Sequence, residues 1–183
     1  MTPGFANPVL DAQACFRCVL DAMARPGTMH AVQGPADTGL DPATAAVLLT
    51  LCDADTSVCS QIGDKATTIP WLQFHCGAPI HSADQAEFIV TDQLEWSSYG
   101  IGSDDAPERS ATVILQVAAL GSGATLTLSG PGIAEATSLA VAGLPDDFAA
   151  QWARNRARFP RGFDVILCAG DRMAALPRSV TVA

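Results

Sequence analysis

Apolar residues recur at helical spacing near the start of the chain. Phe16, Val19, Leu20 and Met23 fall on one side of an α-helix, and Cys15, Cys18 and Ala22 widen that stripe. Asn7 followed by Pro8 offers a cap and a first-turn proline, and Arg25-Pro26-Gly27 is a stop signal. The pattern therefore predicts a helix from Pro8 to about Ala24. A second helix starts at Asp41-Pro42 and carries Ala46, Leu49 and Thr50 toward Cys52. Val58–Ile62 reads as a short strand. A third, short helix is expected over Ile69–His75, with Pro70 in its first turn and Gly77 after its end.

The pattern then changes from period 3.6 to strands. Phe88, Ile89 and Val90 mark a strand over Ala86–Thr91. Gln93–Ser110 holds glycines, acids and Pro107 and reads as a loop. Ala111–Leu120 is a largely apolar run, as expected of a strand covered on both faces. Gly121-Ser122-Gly123 is read as a turn leading back into Thr125–Ser129, which makes a β-hairpin ended by Gly130-Pro131-Gly132. A helix is expected from Pro145, with Asp146 and Asp147 in its first turn and Phe148, Ala149, Trp152 and Ala153 on its apolar side; Phe159-Pro160 closes it. Phe163–Ala169 and Arg172–Leu176 flank Gly170-Asp171 as a second hairpin. Helices alternating with buried strands predict an α/β fold: one three-layer domain, residues 1–183, around a mixed central sheet.

Bulk composition is consistent with this. A chain of 183 residues, 49% hydrophobic, can bury a full core in one domain. No apolar run approaches the roughly 20 residues of a membrane span. Met1–Pro8 has no basic n-region and no apolar h-region, so a cytoplasmic protein without a signal peptide is expected.

Charge adds one asymmetry. Arg154, Arg156, Arg158, Arg161, Arg172 and Arg178 are opposed within that segment only by Asp164 and Asp171. This surplus of four leaves −13 for the remainder of a chain of net charge −9. Such a balance disfavours general nucleic-acid binding, which needs a broad basic face, and points to one anion or one acidic partner held locally. Arg154, Arg156 and Arg158 end a helix that begins with two aspartates, so the helix dipole explains them. Arg161, Arg172 and Arg178 stand at strand ends beside Gly or Pro, where a guanidinium can grip a phosphate or carboxylate. They can equally pair Asp164 and Asp171.

The remaining chemistry is sparse. Cys15 and Cys18 form a C-x-x-C, but Cys52, Cys59, Cys76 and Cys168 supply no second pair, so buried free thiols are expected rather than zinc; an iron–sulfur role is remote. His30, His75 and His81 are isolated, and a metal site is not expected; His75 near Asp53 or Asp55 would be one conceivable acid–base pair. The glycine-rich turns lack the pattern of phosphate loops. No G-x-S-x-G elbow is present. Lys65 is the sole lysine, set in a polar turn, so a pyridoxal phosphate aldimine is not expected and no cofactor is implied.

Several blocks together resemble the PhnH family of the bacterial phosphonate carbon–phosphorus lyase system. They are Phe16-Arg17 through Leu20, Ala22-Met23 and Arg25-Pro26-Gly27; Ala45–Leu51 into Asp53-Ala54-Asp55-Thr56; Phe74-His75 with Ala78-Pro79; Ala111-Thr112 through Val117 with Leu128–Ile133; and Phe159–Leu167 with Ala175–Arg178. The resemblance implies a fold like the pyridoxal phosphate-dependent transferases without the cofactor. It implies a homodimer in isolation and a complex with PhnG, PhnI and PhnJ type subunits. That machinery moves alkylphosphonate onto the ribose of ATP, giving alpha-D-ribose 1-methylphosphonate 5-triphosphate. A required, non-catalytic subunit is the implied role, and no catalytic residue carries over. Arg17, in the first block, joins Arg161, Arg172 and Arg178 as a candidate anion or partner contact. The alternative from the residues alone is a stand-alone enzyme or sensor taking a phosphorylated or phosphonate ligand at the basic segment.

Overall fold

Local sequence sets the first helix as expected. A computed structural model describes every residue but Met1 and Asp64, with the backbone alone at Lys65. Helix α1 spans Pro8–Ala24. Asn7 caps it, its Oδ1 accepting the Leu10 N–H at 3.2 Å while Asp11 accepts the Asn7 N–H at 2.8 Å. Its inward face is Cys15, Val19 and Ala22, at i, i+4 and i+7, with Cys18 and Met23 packed at the margin. Phe16 and Leu20, expected to face the core, turn outward and are 45% and 53% exposed. The narrow groove left by the neighbouring helix and sheet takes the small and β-branched side chains, and the larger ones lie one helical step to the side.

The other elements follow in order: β1 (His30–Ala31), α2 (Pro42–Leu51), β2 (Val58–Ser60), α3 (Lys65–Cys76), β3 (Phe88–Thr91), a 3-10 turn at Pro107–Arg109, β4 (Thr112–Gln116), β5 (Ala119–Ser129), β6 (Thr137–Ala142), α4 (Phe148–Arg156), β7 (Asp164–Ala169), β8 (Arg172–Leu176) and β9 (Thr181–Val182). Helix α2 is apolar all round and buried from Ala43 to Leu48, as such a helix must be. Helix α3 begins four residues before Ile69, so Pro70 lies inside it rather than in its first turn. The polar turn assigned to Lys65 is therefore the start of a helix; Asp64 and the Lys65 side chain lie outside the described residues.

Six strands form the central sheet in the order β1-β8-β7-β4-β3-β2. β2, β3, β4 and β7 are parallel, and β8 and β1 add antiparallel pairs. The alternation of side chains divides the core in two. Val90, Ile114, Ile166, Cys168, Met173 and Ala175 pack with α1, α2 and α3. Ile89, Val113, Leu115, Val165, Leu167 and Leu176 pack under a second layer made of α4, the loop after β3, and a three-stranded sheet ordered β6-β5-β9. The fold is thus α/β with a mixed six-stranded sheet and a separate small sheet. Each fully buried aliphatic side chain on β4 and β7 contributes on the order of 1.5–3 kcal/mol.

The first expected hairpin is corrected. β4 is flanked by β3 and β7, so it has no free edge for β5. β5 instead runs through Gly121-Ser122-Gly123 and pairs with β6, an unexpected strand. The glycines make a bulge between Leu120 and Ala124, with φ of +89° and +98°. A Cβ on Gly123 would lie 2.6 Å from the Ala142 Cα, so the close approach requires glycine. α4 starts at Phe148, three residues after Pro145, and its inward face is Phe148, Trp152 and Asn155, with Ala153 exposed. The β7–β8 hairpin forms as expected, around Gly170 at φ +57°.

Candidate functional site

The basic segment is divided by the sheet it builds. β7 has six residues, a length of about 17 Å. Arg161 and Arg178 lie at its amino end and Arg172 beyond its carboxyl end. Arg178 is consumed internally. Its Nε lies 3.2 Å from both oxygens of Asp164, its Nη2 2.5 Å from Oδ2, and its Nη1 donates to the carbonyls of Pro107 at 3.0 Å and Pro160 at 3.4 Å. The Arg178 main-chain N–H also donates to Asp164 Oδ1 at 2.7 Å. Both side chains are only 15% exposed. Arg161 Nε sits 3.1 Å from Asp104 Oδ1 at a half-exposed position. Arg172 and Arg17 are exposed, and neither side chain makes a hydrogen bond or ion pair among the described residues. Arg154 and Arg156 occupy the last turn of α4, and Arg158 follows it.

A different feature stands at the carboxyl edge of the parallel strands, where open α/β sheets bind ligands. An open cleft of about 490 Å³ is lined by Asp41, Ile62, Asp92, Gln116, Gly143 and Gly170, among others. A second of about 410 Å³ shares Asp92 and Gly143 and continues past Leu94, Leu144 and Pro145. Asp41 is held in place from two sides. Its Oδ2 accepts the Gly170 N–H at 2.9 Å, and its own N–H donates to Gln116 Oε1 at 2.8 Å. The wall therefore carries two carboxylates and one amide. It is suited to hydroxyls or cations and repels phosphate. No binding motif marks these residues in the sequence, where Asp41 reads only as the start of a helix. The available signal was positional: Asp92 directly follows β3, and Gln116 ends β4.

Three of the six expected buried thiols, Cys15, Cys52 and Cys168, are buried, and Cys18, Cys59 and Cys76 are half-buried. All six are free. Burial pushes the Cys168 thiol up to about 12 and Cys76 up to about 11, and raises Cys15 and Cys52 as well. Among the described residues, no group of three or more His, Cys, Asp or Glu is arranged to hold a metal ion. His75 meets neither Asp53 nor Asp55. Its Nε2 lies 3.1 Å from the Thr2 carbonyl, and its ring packs against Trp71 and Phe74 with centroids 5.1 and 5.0 Å away. No described helix is long and apolar enough to cross a membrane.

Comparison with known proteins covers nearly the whole chain. A family model described as bacterial phosphonate metabolism protein (PhnH) matches residues 3–183. The chain is 39% identical to alpha-D-ribose 1-methylphosphonate 5-triphosphate synthase subunit PhnH of Rhizobium meliloti (strain 1021), over 96% of this chain and 92% of that protein. It is 32% identical to the putative C-P lyase subunit protein HtxG of Stutzerimonas stutzeri, over 93% of this chain and 85% of that one. A match of this extent, joined to the ordered blocks from Phe16 to Arg178, establishes that the chain belongs to the PhnH family of bacterial phosphonate metabolism proteins.

Proposed function

We propose that this chain is a subunit of a carbon–phosphorus lyase assembly, required for synthesis of alpha-D-ribose 1-methylphosphonate 5-triphosphate from ATP and an alkylphosphonate. Its role is structural rather than catalytic. The observation that carries this reading is end-to-end kinship with a named subunit of that synthase, 39% identical over 96% of the chain. The surface supports it. Val9, Phe16 and Leu20 form an outward apolar stripe on α1, with Val9 78% exposed, and apolar stripes of this kind mark surfaces that partners cover. The partners are subunits of the PhnG, PhnI and PhnJ type, and the isolated protein is a cytoplasmic homodimer. The chain works as one unit, since both halves of its core share one sheet. Its fold is akin to the pyridoxal phosphate-dependent transferases, without that cofactor. Of Arg17, Arg161, Arg172 and Arg178, Arg172 and Arg17 are the two whose side chains are open to an anion or a partner. Arg161 is half engaged by Asp104, and Arg178 serves as an internal clamp.

The alternative, a stand-alone enzyme or sensor for a phosphorylated or phosphonate ligand, has less behind it. The arginines stand at two edges of the sheet, and the cleft at the carboxyl edge is lined by carboxylates. Two measurements separate the readings. The subunit reading expects co-purification with PhnG, PhnI and PhnJ type proteins from cells grown on phosphonate, and no turnover of ATP plus methylphosphonate by the isolated chain. Turnover by the isolated chain, or calorimetric binding of methylphosphonate that Arg172→Ala abolishes, would favour the alternative.

A further inference from the structure

The carboxyl end of α4 carries positive charge that no carboxylate neutralises among the described residues. Arg154, Arg156 and Arg158 are exposed and have no carboxylate partner among the described residues. Arg154 Nη1 reaches Gln151 Oε1 at 3.5 Å, and Arg156 Nε reaches the Ser179 carbonyl at 3.3 Å; both acceptors are neutral. From Phe148 to Phe163 the chain has four arginines and no acid, in a molecule of net charge −9. Phe159, beside them, is 63% exposed. The helix dipole favours cations in the last turn by roughly 0.3–1 kcal/mol each. That accounts for Arg154 and Arg156. It leaves Arg158, past the helix end, and the bare aromatic ring unexplained.

Two open clefts flank this end of the helix. One, of about 210 Å³, is lined by Arg154 and Arg158 with Trp96 and Gln151. The other, of about 330 Å³, is lined by Arg156 and Phe159 with Pro131 and Ser179. Residues i and i+4 of a helix share a side, and the residue midway faces nearly opposite. The three guanidinium groups thus open on two sides and do not converge, as the oxygens of a single phosphate would require. An extended chain crossing the helix end can meet both sides.

We propose that this surface docks an acidic segment of a sister subunit, with an apolar side chain against Phe159 and carboxylates set against Arg154, Arg156 and Arg158. The inference rests on the subunit reading above. Arginine and aromatic side chains are where interfaces concentrate binding energy, and a local positive patch speeds and orients encounter with an acidic partner.

The test is co-expression of the full chain with its tagged sister subunits, followed by washing the captured complex from about 0.05 M to about 0.5 M salt, across which screening shortens the reach of surface charge. Arg154→Glu/Arg156→Glu/Arg158→Glu should lower retention at least tenfold at low salt, and the matching Arg→Lys triple should restore most of it. Phe159→Ala should weaken retention at every salt concentration. Melting temperature confirms that the variants fold, since all four side chains are exposed. If the unaltered chain is not retained at all, the subunit reading fails. If it is retained and the Glu triple is retained equally, the docking inference is overturned. Calorimetry of the isolated chain with tripolyphosphate adds a third arm: micromolar binding lost in the Glu triple would make the occupant a small anion, and would also overturn it.

Discussion

Replacing Arg178 by alanine should destabilise the protein, whatever it does to assembly. The guanidinium closes a site in which Asp164 accepts from Nε, Nη2 and the Arg178 main-chain N–H, while Nη1 bridges to the carbonyls of Pro107 and Pro160. It ties the start of β7, the end of β8 and the loop before β4 together. Removing one member of a buried pair leaves the other charge unpaired, at a cost of about 3–5 kcal/mol; at 15% exposure the lower end applies, about 3 kcal/mol. A chain of this size loses about 2–4 °C of melting temperature per kcal/mol, so about 6–12 °C is expected. Arg178→Lys should recover little, because an ammonium cannot supply the fork that two carboxylate oxygens and two carbonyls require. Asp164→Ala should cost a similar amount, and a double-mutant cycle read by urea denaturation should give a coupling of roughly 2–3 kcal/mol. If Arg178→Ala shifts the melting temperature by less than about 2 °C, or the coupling is near zero, the clamp is not structural and Arg178 returns to the anion-binding candidates.

Asn155 is buried, and its side-chain amide donates from Nδ2 to the Phe163 carbonyl at 2.9 Å and accepts the Phe163 N–H at Oδ1 at 3.1 Å, so Asn155→Ala should cost about 2–4 kcal/mol by denaturant melt; Asn155→Asp should be no better, since its carboxylate cannot donate. Gly123→Ala combines φ of +98° with a 2.6 Å approach to Ala142, and should unfold the β5–β6 pairing first, visible as lost hydrogen-exchange protection in both strands. Phe16→Ser with Leu20→Ser should leave the melting temperature within about 2 °C while raising solubility, because both side chains already face outward. The thiols impose an alkaline limit. Cys76 and Cys168 hold their protons to about 11 and 12 when folded, against 9.0 unfolded. Above pH 9 the unfolded chain therefore binds fewer protons than the native one, and stability should fall between pH 9 and 12. Cys76→Ala/Cys168→Ala should flatten that decline in pH-dependent melts.

Much of the architecture was legible in the order of residues. Asn7-Pro8 and Arg25-Pro26-Gly27 bracket α1 to the residue, and the Gly170-Asp171 turn fixes the last hairpin, because caps and two-residue turns are local chemistry. The ordered blocks also carried the family. What local pattern could not decide was which neighbour each element meets. Phe16 and Leu20 obey the same helical period as Cys15 and Val19; only the groove between α2 and β8 selects the smaller set for burial. Gly121-Ser122-Gly123 reads as a turn until β4 is found occupied on both edges, which forces β5 into another sheet. The surplus of arginines is plain along the chain. Their dispersal to the two ends of β7 and to the end of α4, and the pairing of Arg178 with Asp164, depend on strands that run in opposite directions, and sequence spacing carries no such direction. The cleft of Asp41, Asp92 and Gln116 has the same origin. Those residues are 51 and 24 positions apart in sequence; parallel strands bring Asp92 and Gln116 to one edge, and bonds to Gln116 and Gly170 hold Asp41, at the start of α2, beside them.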